Sequence, residues 1–348
     1  MDEPILDSLE KWIQRYQQMA VVGVRTKAVT DKIALHLQRF SAFFQLAYGH
    51  DRLSICLRRD VIAWQQSLQS QRLSNATVNS YIASLSGFMT WVDTQAPHVF
   101  VNGKPTKGIG ELGLAAPEPR ALNEEQIRTL KNLCDRLPRF YQLKGRQHSS
   151  QMELRLAVRA RPWRDRAIAF VLLSTGLRRE ELTRLDLDQI APNTPETLRA
   201  SRSSQIYRVK GKGKSERTVY LSADARAALA DYLEWERCRD ASDATVALFL
   251  SACEVQSRTQ DGRLSPRAIN LILEQIGHWH DAELADPSRH ISPLRPHDLR
   301  HTFAFQLAKT TGADAYELER RLGHRSQRYI QRYTNPPEAV AASYIESF

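Results

Sequence analysis

The sequence predicts a mainly α chain with a small β-hairpin or sheet, divided into two domains. Three observations carry this. Apolar residues recur at 3.6-residue spacing through most of the chain, one short stretch alternates instead around a Lys-Gly turn, and breakers crowd residues 96–120. A length of 348 residues also exceeds one typical domain and lets each of two bury its own core.

Residues 1–95 form the first domain, with helices predicted over 5–19, 30–48, 59–70 and 74–91 and Ser74 as the N-cap of the last. Pro97, Gly103, Pro105, Gly108, Gly110, Gly113, Pro117 and Pro119 then exclude a helix or a central strand, so 96–120 reads as a linker. The second domain spans 121–336. It opens on Asn123-Glu-Glu-Gln126, where Asn123 can cap a helix and Gln126 can close a capping box. Segments 204–209 and 218–221 alternate on either side of Lys210-Gly-Lys-Gly-Lys-Ser215, the pattern of a hairpin. Ser222, and Ser265 followed by Pro266, mark further helix starts, and Gly312 ends the helix that carries His297. A tail, 337–348, places Val340, Tyr344, Ile345 and Phe348 at roughly helical spacing.

The 49 Lys and Arg against 39 Asp and Glu give +10, a balance that favours a polyanionic partner, nucleic acid first. Most of the excess lies beyond the first hundred residues. The stretch 139–166 holds eight Arg and Lys against two acids and reads either as a solvated surface loop or as a nucleic-acid contact. Cys56, Cys134, Cys238 and Cys253 are scattered without a Cys-x-x-Cys pair, which argues against a disulfide framework or a thiolate zinc site and fits a reducing cytoplasm. The acidic N-terminus does not resemble a targeting segment, and the longest strongly apolar run is far short of a bilayer span, so no membrane association is expected.

Several residues offer chemistry. Arg178, in Thr175-Gly-Leu-Arg-Arg-Glu-Glu181, stands at a helix corner from which a guanidinium fork can grip phosphate oxygens; Glu181 can either orient it or face solvent. Lys210, Lys212 and Lys214 sit between glycines at the hairpin tip, where a flexible ammonium can donate a proton to a leaving alkoxide. His297 and Arg300, three apart, share a helical face and combine a proton carrier with a fixed charge. His301, four after His297, has zinc-like spacing, but Arg300 stands between them and no acidic third ligand is near, so a metal is not expected; His278 and His280 read as surface residues. His324 follows Leu-Gly at another corner. Tyr333 lies nine residues on, and Tyr329, one turn earlier, is a rival nucleophile on the same side.

The order and spacing of Arg178, Lys212, His297 with Arg300, His324 and Tyr333 over residues 120–335 resemble the tyrosine recombinase family, which includes the phage integrases. Its motifs run Thr-Gly-Leu-Arg with a nearby acid, a Gly-Lys-Gly hairpin, His-x-x-Arg, Leu-Gly-His, and a tyrosine nine residues after that histidine. The resemblance selects Tyr333 over Tyr329 and Lys212 over its neighbours. It implies a helical core-binding domain followed by an α+β catalytic domain closing round double-stranded DNA, and strand cleavage and rejoining through a 3′-phosphotyrosyl intermediate without metal or cofactor. Tyr333 would be the nucleophile, Arg178, Arg300 and His324 the phosphate clamp, Lys212 the general acid, His297 the proton shuttle and Glu181 a support. It further implies a homo-tetramer on two sites and leaves room for accessory DNA-bending proteins or a partner recombinase, while the helical spacing of the tail reads either as docking on a neighbour or as a helix packed on its own domain. The stretch 139–166 and the loop 256–264 are longer than a minimal member needs. A type IB topoisomerase sharing the chemistry, and a DNA-binding protein keeping the fold alone, are the competing expectations.

Overall fold

Burial of the apolar stripes produces, among the described residues, two large cores and a smaller cluster of Ala304, Ala308, Leu318 and Leu322, and the chain divides into two units, Met1–Pro117 and Glu118–Phe348. The structure, a computed structural model, describes residues 7–114, 120–143, 160–211, 215–242 and 245–323.

The first unit is helical: α1 (Leu9–Tyr16) continuing into a π turn (Gln17–Val21), α2 (Lys27–Tyr48), α3 (Arg58–Ser70) and α4 (Asn75–Gln95). Ser8 caps α1 and Ser74 caps α4, each hydroxyl accepting a backbone N–H of the first turn at 3.3 Å. The interior is aromatic. Trp64 is fully buried between Phe40 and Tyr81, with both rings edge-on to it at 5.0 and 5.9 Å, the geometry that ring quadrupoles favour. The breaker-rich stretch after α4 does not leave this unit at once. Val99 and Phe100 enter its core, and Asn79 both donates to and accepts from the Leu112 backbone at 2.9 Å. Asn75 and Arg58 take the carbonyls of Gly113 and Gly108, so helix side chains satisfy a backbone that its prolines and glycines keep out of regular structure.

The second unit opens with α5 (Glu124–Leu143), whose start is the predicted capping box: Asn123 N–H donates to Gln126 Oε1 at 3.1 Å, and Gln126 N–H to Asn123 Oδ1 at 2.8 Å. Helix α6 (Pro162–Thr175) is buried on every face, which its unbroken run Ala167–Leu172 requires. It packs against α5 and α9. After the single turn α7 (Arg179–Thr183) come β1 (Ile190–Ala191), α8 (Pro195–Ala200), β2 (Ser204–Lys210), β3 (Glu216–Leu221) and α9 (Ala223–Tyr232). The strands form an antiparallel sheet in the order β1-β2-β3. The hairpin closes through Lys210 opposite Glu216 and Gly211 N–H to Ser215 O at 2.7 Å. A bulge shifts the register between Ile206 and Val209, where Arg208 takes a φ of 54°.

Among the described residues three longer helices follow: α10 (Pro266–Ala282), capped by Ser265; α11 (Pro296–Thr311), ended by Gly312; and α12 (Ala315–Leu322). Helix α11 also packs on α6 and on α12. One expectation fails on α10. His280 is not a surface residue but is buried, with Nε2 2.8 Å from Thr129 Oγ1 and Nδ1 3.0 Å from Asp281, because it lies on the same face as Leu273, Ile276 and Gly277. His278 is exposed as expected.

Candidate active site around Glu181

Three guanidinium groups converge on one buried carboxylate, and local sequence explains why. Helix α6 stops at Gly176, which takes a left-handed φ of 59°, and the chain turns through Leu177 into α7 with Arg178 as its N-cap. A Cβ on Gly176 would stand 2.4 Å from Phe303 Cδ1, so the corner also needs glycine for space. With Arg178 at the cap, Glu181 falls at the third position of the first turn. Its Oε2 accepts the Arg178 backbone N–H at 2.8 Å and its Oε1 accepts Arg178 Nη1 at 2.7 Å. The sequence leaves Glu181 open between orienting Arg178 and facing solvent; at 5% exposure it orients.

Arg217 of β3 completes the carboxylate's shell, donating from Nη1 to Oε1 at 3.1 Å and from Nη2 to Oε2 at 2.7 Å. Arg300 of α11 brings its Nη1 to 4.0 Å from Oε2. Burial pushes the Glu181 carboxyl up, but hydrogen bonds and charge from Arg217 and then Arg178 outweigh it and hold the pKa at about 2. The group is therefore a permanent anion that aims cations. Arg178 remains 27% exposed, so its guanidinium is both anchored and reachable.

Arg300 is buried, donating from Nη1 to Gly176 O at 2.5 Å and from Nη2 to Leu322 O at 2.6 Å, so it ties the α6–α7 corner to the end of α12. One turn earlier on the same helix, His297 lines a cleft of about 420 Å³ with Arg179, Glu180, Asn270, Glu274 and Arg295. The surrounding walls desolvate its ring, and Arg300 and Arg178 oppose a positive charge on it, so its pKa is lowered from the ordinary histidine value and the neutral imidazole is favoured. A neutral imidazole can accept a proton. The rings of His297 and His301 stand 6.3 Å apart, tilted by 33°.

Of the seven residues singled out in the sequence, Arg178, Glu181, His297 and Arg300 are thus brought together on α6–α7 and α11. Lys212, His324 and Tyr333, with the rival Tyr329, lie outside the described residues, as do most of 139–166 and the tail 337–348. Gly211 and Gly323, which directly precede Lys212 and His324, are described, and Arg217 lies close to both. Arg217 is the residue that motif reading missed. The signal was strand parity: in β3 it shares its side with Val219 and Leu221, which are buried, and an inward arginine demands an anionic partner.

A mainly helical two-unit chain with a small antiparallel sheet is the fold of the solved tyrosine recombinases and integrases it resembles. Residues 146–339 match the phage integrase family, and the chain belongs to that family. It is a site-specific recombinase, an enzyme that cuts and rejoins DNA strands. It is 26% identical over 348 residues to the tyrosine recombinase XerC of Oceanobacillus iheyensis, covering 98% of this chain and 97% of that protein. It is 35% identical over 172 residues to XerC of Pelobacter propionicus, covering 49% of this chain and 47% of that one. Among solved structures, the fold is similar to the XerH site-specific recombinase bound to palindromic difH substrate in a post-cleavage complex (TM-score 0.67, 20% identity, 97% of this chain and 83% of that one). It is similar also to the Tn1549 transposon integrase in complex with transposon right-end DNA (TM-score 0.67, 14% identity, 98% and 99%). These relatives do not favour the topoisomerase expectation. No helix among the described residues is long and apolar enough to cross a membrane.

Proposed function

We propose that this chain cleaves double-stranded DNA at a specific site by attack of Tyr333 Oη on the scissile phosphorus. The observation that carries this reading is the convergence of Arg178, Arg217 and Arg300 on buried Glu181, beside His297. Attack forms the Tyr333 O–P bond and breaks the bond from phosphorus to the 5′-oxygen, leaving a 3′-phosphotyrosyl link. Tyrosine, with a free pKa near 10, must lose a proton as it attacks, and His297 accepts it. Arg178, Arg300 and His324 hold the non-bridging oxygens, where negative charge collects in the transition state. Lys212 donates the proton that the departing 5′-oxygen needs. Because the phosphotyrosine keeps the bond energy, a 5′-hydroxyl from another strand reverses the step without nucleotide or metal.

The first unit acts as the core-binding domain and the second as the catalytic domain, both engaging the duplex, in a cytoplasmic protein. Exchange between two sites uses a homo-tetramer in which the tail 337–348 docks on the next protomer, with accessory DNA-bending proteins or a partner recombinase setting the direction.

Duplexes selected from a random pool by binding supply the site for a test. A nicked version, from which the cleaved fragment escapes, is incubated with the chain in EDTA and resolved under denaturing conditions. A covalent protein–DNA species attached at the 3′-phosphate is expected, and paired intact sites should yield recombinant product. A gel shift without any covalent species would overturn the reading, and relaxation of supercoils by a monomer without recombinant product would replace it with a topoisomerase.

A further inference from the structure

Arg217 belongs to none of the motifs, yet it reaches the Arg178 corner through Glu181, the end of α12, and the hairpin of which its own strand is part. Its side chain is 8% exposed. The two terminal nitrogens hold both oxygens of Glu181, and Nε donates to the Arg321 carbonyl at 2.9 Å, in the last turn of α12. The next carbonyl, that of Leu322, is taken by Arg300. Two guanidinium groups from different elements therefore fix the end of α12 immediately before Gly323 and His324. A Cβ on Gly323 would lie 3.1 Å from Arg217 Nη1, and one on Gly211 would lie 3.7 Å from the same atom. The guanidinium thus abuts the residue before His324 and the residue before Lys212.

We propose that Arg217 is a positioning residue for strand cleavage, joining the hairpin, the Arg178 corner and the end of α12 into one frame. The proposal rests on the roles assigned above to Arg178, Lys212 and His324. It follows from donor geometry: a planar guanidinium serves two carboxylate oxygens and a carbonyl at once, whereas a lysine ammonium at the end of a flexible stem lacks that planar fork. Without Arg217, Glu181 loses two of its donors and Arg178 its fixed backing, while the hairpin and α12 lose their shared anchor. Misplacement of catalytic groups by an ångström costs about 10²-fold in rate even when the altered residue never meets the substrate.

The test compares the full chain with Arg217→Met and Arg217→Lys on nicked duplexes carrying either an ordinary scissile phosphate or a methylphosphonate, whose methyl group removes the negative charge that Arg178 neutralises. DNA affinity and the first-order rate of adduct formation at saturation are read separately. For Arg217→Met the expected result is a rate lower by about 10²-fold on phosphate, affinity within about threefold of the wild type, and a clearly smaller rate loss on methylphosphonate. Arg217→Lys should fall between the two. If Arg217→Met does not fold, Arg217→Lys decides: a loss of about tenfold on phosphate that shrinks on methylphosphonate supports the proposal, and an equal loss on both overturns it. A folded Arg217→Met with wild-type rate, or one whose whole defect is in affinity, also overturns it. A wild-type chain that forms no adduct would instead bring down the cleavage reading on which this one rests.

Discussion

A carboxylate buried among arginines is unstable unless nearly every lone pair is used, and Glu181 uses them on one backbone N–H and three guanidinium N–H groups. Glu181→Gln keeps the shape but removes the charge that compensates Arg217. The unit should lose on the order of 3 kcal/mol of stability, seen as a lower midpoint in urea or heat. The sign with pH is fixed. The folded pKa of about 2 lies below the usual 4.5, so the stabilisation is complete above 4.5 and is lost as pH falls from there toward 2. Between pH 6 and 3 the wild type should therefore lose more stability than Glu181→Gln, and parallel curves would contradict this. At this scale the sequence was legible where motif spacing is local. Arg178 with Glu181 and His297 with Arg300 are each three residues apart, and each pair shares a face. Arg217 was not, because its meaning lies in a partner 36 residues away.

The elements were legible through their ends. Ser74, Asn123 with Gln126, Ser222, Ser265 with Pro266, and Gly312 all stand where the helices start or stop, since each satisfies an orphan backbone group or a left-handed turn that no neighbour could. Strand β1 was missed. Its two residues carry no periodicity and exist only because β2 pairs with them. The bulge at Arg208 was equally invisible, since it is held by Gln189 Nε2 donating to the carbonyls of Tyr207 and Arg208. Gly176 joins element to site. Gly176→Ala places a methyl group against Phe303 at a φ that alanine resists, and overpacking of this kind costs about 1–3 kcal/mol. Because the Gly176 carbonyl also holds Arg300, adduct formation should slow beyond what the folded fraction explains, measured by rate and thermal unfolding on the same preparation. A variant as stable and as fast as the wild type would show that the corner is not constrained as described.

For the molecule as a whole, the positive charge balance pointed to a polyanionic partner, nucleic acid first, and the ordered motifs supplied the family. Assembly is the part that sequence carries least directly, because it depends on a surface presented to another copy. If Val340, Tyr344, Ile345 and Phe348 dock on the next protomer, burial of three or four such side chains contributes on the order of 5 kcal/mol before ordering costs. A chain ending at Asn335 keeps all six catalytic candidates. It should still cleave a nicked site but fail to form recombinant product or a tetramer on DNA in gel filtration; full recombination by the truncated chain would remove the tail from the account.

The central claim is that Tyr333 is the nucleophile, and peptide mapping of the trapped protein–DNA adduct tests it most directly. Digestion of the covalent species and mass spectrometry of the DNA-linked peptide should place the phosphodiester on Tyr333. Tyr333→Phe, which removes one oxygen and little volume, should bind DNA normally and give no adduct, while Tyr329→Phe retains it. An adduct mapped to Tyr329, or one that persists in Tyr333→Phe, would contradict the account.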